Sequence, residues 1–415
     1  MPLSADTTSF VDLLALILAG LVAERLSRTL RVPDIVLYLV AGLLLGPVFG
    51  LVHLGAGGGL AGFVLVFGAV FMLYEGGRRL SLGVLREIWL GLVLLSTVGV
   101  LLTAGVVVVV ARLALGAPWA EAGLLAALLA STDPATIVPL FRAIRVRVRI
   151  ARLVEGESGF NDAVSAVLVF ALLAVLLHGH SSVAGSLWLF ARMVGGGIGV
   201  GLAVGALAAW LLPGGRGLGL FDTREQGAVL SLCVVLASYT AATALGASGY
   251  MAVFVAGVVT ANRHALGLVP PPAHRRLHDA YLGQVGLLVR MLIFLVLGAV
   301  VNLTLVARLA LPAGCIALGL LFLARPLTVL ACLGADRLAR WSWPEMLFVC
   351  WVRETGVVPA ALAGTLLQQG VPGAPAIAAA VFVAVLVTIL VQVPTTAWWA
   401  RTLGVATAPR RTEQT

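Results

Sequence analysis

The chain alternates between long apolar runs and short polar stretches, most of which carry arginine. A helix needs about 20 apolar residues to cross a bilayer. Thirteen spans are predicted on that basis, at roughly 10–23, 35–52, 60–74, 88–110, 122–140, 153–177, 183–212, 226–245, 249–262, 282–301, 305–333, 346–367 and 374–399. The ninth is short but apolar throughout. The interruptions are as regular as the runs. If the N-terminus is outside, the inner loops hold Arg25, Arg28 and Arg31, then Arg78, Arg79 and Arg86, then the cluster from Arg142 to Arg152. Further along they hold Arg216 and Arg224, Arg263, Arg275 and Arg276, Arg337 and Arg340, and finally Arg401, Arg410 and Arg411. Arg112 and Arg308 flank the outer loops. Such alternation is the positive-inside pattern, and it predicts the N-terminus outside and the C-terminus inside.

Composition agrees with this reading. Apolar residues make up 61% of the 415 and charged residues only 11%, against about 25% charged in a soluble domain. Mean hydropathy is +1.09. The longest predicted loop, 263–281, leaves no room for a soluble regulatory domain. The net charge of +9 is spread through short loops, which argues against nucleic acid as a partner and for lipid. All the basic residues are arginine, so a lysine-dependent mechanism is excluded. Cys233, Cys315, Cys332 and Cys350 lie in apolar stretches without ligand spacing and read as small core hydrophobes. The first span has no basic segment before it and no small-residue cleavage site after it, so it reads as a retained helix.

The informative residues are charges inside the spans: Arg192, Arg290, Arg325, Arg353, Asp133, Glu157, Asp162 and Glu354, with Glu75 at a span end. An ionisable group at membrane depth costs about 2.5–3.5 kcal/mol and is usually paired or functional. Arg192 and Arg290 can snorkel to the headgroups; aspartates are too short to do so. Pro134 follows Asp133, and Gly356 and Pro359 follow Arg353 and Glu354. Proline removes a backbone donor, so both spans are expected to be broken helices. Gly/Pro-interrupted spans in corresponding places of two halves point to a transporter's ion site. In the sixth span Ser158 and Asp162 share one helix face at about 100° per residue, while Glu157 and Asn161 share another. An all-oxygen donor set suits a hard monovalent cation; a transition metal would want imidazole or thiolate nearby, and the histidines lie in loops or at span ends.

These segments resemble the cation:proton antiporter superfamily, specifically its sodium/proton exchanger branch. STDPATIVPLF (131–141) is similar to that branch's Thr-Asp-Pro motif, and VEGESGFNDAV (154–164) to its Glu-Ser-x-x-Asn-Asp motif. YEGGRRL (74–80) resembles the end of its third helix and GASGYMAVFVAGVV (246–259) its ninth. ARPLTV (324–329) resembles its arginine-bearing eleventh helix, and VRETGVVPAALA (352–363) its second broken helix. In that last motif the family's glycine directly follows its arginine, whereas Glu354 and Thr355 intervene here.

The resemblance implies an all-α, inverted-repeat membrane protein in a bacterial inner membrane. It would be a homodimer with a mobile core (88–178 and 304–402), a scaffold (1–87 and 179–303) and a short inner tail (403–415). It implies that Asp162 carries cation and proton alternately, assisted by Asp133, Ser158, Thr132 and Glu75, with the cation at Asp162, Ser158 and Thr132. Glu157 and Asn161 would be held by Arg325, with Arg353 also supporting the core. No cofactor is expected beyond the transported ions. The function expected is sodium or lithium exchange for protons, one for one and electroneutral. Potassium/proton exchange is the alternative. A remote third is an intramembrane serine protease, from the Gly-x-Ser-Gly pattern at Gly156–Gly159, which lacks a mid-membrane base.

Overall fold

The computed structural model describes residues 5–54, 59–133, 136–178, 183–211, 224–268 and 272–406. Pro134, Arg216, Arg410 and Arg411 lie outside them. The described residues are almost wholly helical, as a lipid-embedded backbone must be when no water can satisfy its polar groups. Each predicted span coincides with one helix or one helix pair.

The first quarter holds α1 (Ala5–Leu30), α2 (Asp34–Leu43), α3 (Leu60–Arg79), α4 (Leu82–Ser96) and α5 (Val98–Leu115). A π-helical turn at Leu44–Val48, around Pro47, extends α2. The fifth span is broken, giving α6 (Trp119–Leu129) and α7 (Ile137–Ile144); α8 (Val148–His178) follows. Next come α9 (Val183–Leu211), α10 (Arg224–Ala244), α11 (Gly249–Ala261) and α12 (Pro272–Val300). The eleventh span is α13 (Leu303–Gly319) and α14 (Arg325–Ala335), joined by a π-helical turn at Leu320–Ala324. The twelfth is broken into α15 (Trp343–Trp351) and α16 (Val357–Gln368), and α17 (Ala374–Thr402) closes the fold.

Seven helical segments among the described residues are long and apolar enough to cross a membrane. Their burial separates them. In α17 67% of the span window is buried, whereas in α9 only 28% is, and α1 and α9 expose Phe10, Leu14, Leu18, Leu187 and Trp188. A water-soluble chain would not present apolar rows of this kind. α13, α5, α6 and α17 pack together, as do α2 with α12 and α3 and α9 with α11; α3 also reaches α16 and α8. The α3–α11 contact depends on glycine: a Cβ on Gly77 would lie 2.2 Å from the Phe254 carbonyl oxygen, and one on Gly257 2.3 Å from that of Tyr74.

Three expectations need correction. The segment 263–281 is mostly helical, because α12 begins at Pro272 and a 3-10 turn spans Arg263–Leu266. Arg290 does not snorkel; it donates to Asp34 Oδ2 at 2.9 Å, tying α12 to α2. Only Cys332 and Cys350 are core residues, Cys233 and Cys315 being exposed.

Candidate ion-binding site

The two helix breaks cross, and each supplies what the other lacks. Helix ends leave carbonyls and amides without intrahelical partners, and in a membrane these must be met inside the protein. α6 ends at Leu129, whose carbonyl accepts from Arg353 Nη2 at 2.6 Å. α16 begins at Val357, whose amide donates to Asp133 Oδ2 at 3.1 Å. The Asp133 amide in turn donates to the Glu354 carbonyl at 3.0 Å. A cation therefore faces a helix C-terminus and an anion a helix N-terminus, the arrangement the helix dipole favours. Gly356 is required at the crossing, since a Cβ there would fall 1.9 Å from Asp133 Cβ. Pro359 lies in the first turn of α16, where no amide bond is lost.

α8 passes alongside and is joined to the first break by two short links. Asn161 Oδ1 accepts from the Thr132 amide at 3.2 Å, and Asn161 Nδ2 donates to Thr132 Oγ1 at 2.7 Å. Ser131 Oγ donates to Asp162 Oδ1, and Asp162 also faces the charge of Asp133. Ser131, Thr132 and Ser158 are buried. The site thus brings Asp162, Asp133, Thr132 and Ser131, all oxygen donors, together between broken helices, with Ser158 buried one turn before Asp162 on α8.

On another face of α8, Glu157 meets Arg325. Nη1 donates to Oε1, and Nη2 to Oε2 at 2.9 Å. Arg325 also donates to the carbonyls of Val349 and Val352 at 3.1 and 3.2 Å, at the C-terminal end of α15. Asn161 is not held by Arg325, as the resemblance implied; its amide is committed to Thr132. The reason is geometric: Arg325 directs four bonds to Glu157 and the α15 carbonyls, while the Asn161 amide is turned to the first break. Glu75 pairs with Arg79 at 2.5 Å along α3 and abuts Gly286 of α12, with no hydrogen bond to the Asp162 cluster. Arg79 lies within the electrostatic reach of Asp133.

Sequence reasoning missed Ser131. Its signal was position: it directly precedes Thr132 and Asp133 at a helix break.

Crossed half-helices with charged residues at both breaks are the architecture of a membrane ion carrier. The chain belongs to the transmembrane sodium/hydrogen exchanger family, whose profile matches residues 13–402. It is 30% identical over 414 residues to sodium/proton antiporter 1 of Methanocaldococcus jannaschii, covering 94% of this chain and 93% of that one. It is also 30% identical over 392 residues to a potassium/proton antiporter of Alkalimonas amylolytica, covering 91% of this chain but 63% of that protein. The solved structure of the sodium/proton antiporter from Methanocaldococcus jannaschii at pH 8 superposes with a TM-score of 0.76 at 27% identity, over 94% of this chain and 96% of that one. These relatives are transporters, not enzymes.

Proposed function

We propose that this protein is a secondary antiporter exchanging sodium for protons at Asp162. The observation that carries the reading is the carboxylate of Asp162 beside Asp133 at the crossing of two broken helices, bonded by Ser131 and next to the Asn161–Thr132 link. One carboxylate that binds a sodium ion or a proton, but not both, couples the two fluxes. The sodium/proton antiporter relative, similar over nearly its full length, supports sodium as the cation. The test is dissipation of an imposed pH gradient in proteoliposomes by sodium, lithium or potassium. Sodium-driven proton release that vanishes in a folded Asp162→Asn protein is expected; wild-type rates in that variant would overturn the reading.

Potassium/proton exchange is a second reading, favoured by the Alkalimonas relative, and the same assay separates the two. Stoichiometry follows from which charges can cycle. Glu157 is matched by Arg325 and Asp133 is engaged by Val357; with Glu354 keeping one charge state through the cycle, Asp162 exchanges one proton for one cation. A pH gradient then drives transport and a membrane potential alone does not; sodium-dependent currents on a solid-supported membrane would contradict it. Ser158 and Thr132 complete the cation's shell in this proposal, with Glu75 on the approach through Arg79. The core (88–178 and 304–402) moves against the scaffold (1–87 and 179–303) in an elevator cycle within a homodimer. The inner membrane, with N-terminus out and C-terminus in, is supported by the arginine alternation. Cysteine accessibility at either end tests that orientation.

A further inference from the structure

Glu354 has no role in the mechanism above. It is 2% exposed, and neither carboxylate oxygen has a hydrogen-bond partner. Its side chain faces Asp133 and lies against Thr136 at the start of α7; the Thr136 hydroxyl and amide approach the carboxylate without closing a hydrogen bond. The Thr136 hydroxyl is buried and likewise without a partner. A buried carboxylate whose lone pairs are unmet is expensive. The neighbouring guanidinium does not relieve it, because Arg353 is turned to the Leu129 carbonyl and pairs with no carboxylate among the described residues. Glu157 has its counter-charge in Arg325, whereas Asp162 and Glu354 have none among the described residues, and Asp133 is the carboxylate that both of them face.

We propose that Glu354, Thr136 and Asp133 form a second position for a monovalent cation, separate from the one at Asp162. The donors fit that ligand class: carboxylate and hydroxyl oxygens without nitrogen or sulfur, which suits a hard ion held by charge and not by a fixed covalent geometry. The Glu354 side chain projects from the extended segment between α15 and α16, where the backbone is already anchored by the Asp133 amide and by the Thr355 amide donating to Thr388 Oγ1 at 3.2 Å. The carboxylate is therefore held at a fixed place in the crossing. Asp133, shared by both positions, would let occupancy of one alter the field at the other. The inference rests on the crossing being a cation path, but it is tested by occupancy and not by exchange.

The experiment uses the thallous ion, an electron-rich monovalent cation, with crystals of the full chain. Two anomalous peaks are expected, one at Asp162 and one between Glu354 and Thr136. Glu354→Gln, nearly isosteric, should remove the second peak and leave the first, Thr136→Val should weaken the second, and Asp162→Asn should remove the first and leave the second. A single peak at Asp162, or a peak near Thr136 that survives Glu354→Gln, overturns the proposal while leaving sodium/proton exchange standing. In detergent, Asp162→Asn should keep a sodium-specific rise in melting temperature at constant ionic strength, and Asp162→Asn with Glu354→Gln should lose it. No such rise in Asp162→Asn, or its persistence in the double variant, also overturns the proposal. Absence of exchange with the Glu354 peak present would sink the antiporter reading alone.

Discussion

The contact between α8 and α14 and the break between α15 and α16 bury charge in opposite ways. At the first, the Glu157 carboxylate and Arg325 guanidinium meet through both forks, and the spare donors of the arginine finish the carbonyls of Val349 and Val352. At the second, the adjacent residues Arg353 and Glu354 are as deeply buried yet do not meet. One side chain turns to Leu129 and the other to Thr136, and Arg353 Nη1 and both Glu354 oxygens remain unsatisfied. A closed pair is a fixed fitting. An open one retains capacity for an ion, which a carrier needs at a place where its own helices are interrupted.

Mutations can break this contrast. The largest effect is expected at the closed pair: Glu157→Ala leaves a lone buried guanidinium and should lower stability by about 3–5 kcal/mol, read as melting temperature in detergent. Adding Arg325→Ala should restore part of the loss, and strictly additive losses would mean the two are uncoupled. Next comes Gly356→Ala, whose methyl overlaps Asp133. Overpacking of that kind costs about 1–3 kcal/mol, and exchange should fall with it, because the crossing itself must open. Arg353→Gln should be milder, about 1 kcal/mol, since the lost bond to Leu129 is offset by removal of an unsatisfied donor. The smallest effect is expected for Glu354→Gln in cation-free buffer, within about 1 kcal/mol of wild type in either direction. A loss there as large as that of Glu157→Ala would erase the contrast between the two regions.

Much of this was legible in the sequence and some was not, for physical reasons. The spans were readable because a bilayer imposes length and apolarity on each segment separately. Both breaks were readable because proline and glycine act locally, at Pro134 for the first and at Gly356 and Pro359 for the second. Glu157 and Asn161 could be set on one helix face by periodicity, but periodicity does not say what that face meets. Asn161 goes to Thr132, Arg290 to Asp34 and Arg353 to Leu129, the last across 224 residues of sequence. Such pairings are decided by packing between helices, to which one chain's hydrophobic pattern is blind. Glu354 shows the same limit: its place in the sequence marked it as costly, and only the crossing shows that it has no counter-charge among the described residues.

The flush contact of α3 with α11 has a mechanical consequence. At Gly77 and Gly257 each backbone fits directly beneath a carbonyl of the other helix, so the two cannot slide along one another without collision. The surface between α3 and α16 is different, with the Leu65 side chain resting against Gly364, a smooth apolar contact that can shear. If the protein alternates between two states, α3 and α11 should travel as one rigid strut while the slip plane runs between α3 and α16. Spin labels across the strut should report one distance in sodium and at acid pH alike, and labels across the slip plane should report two.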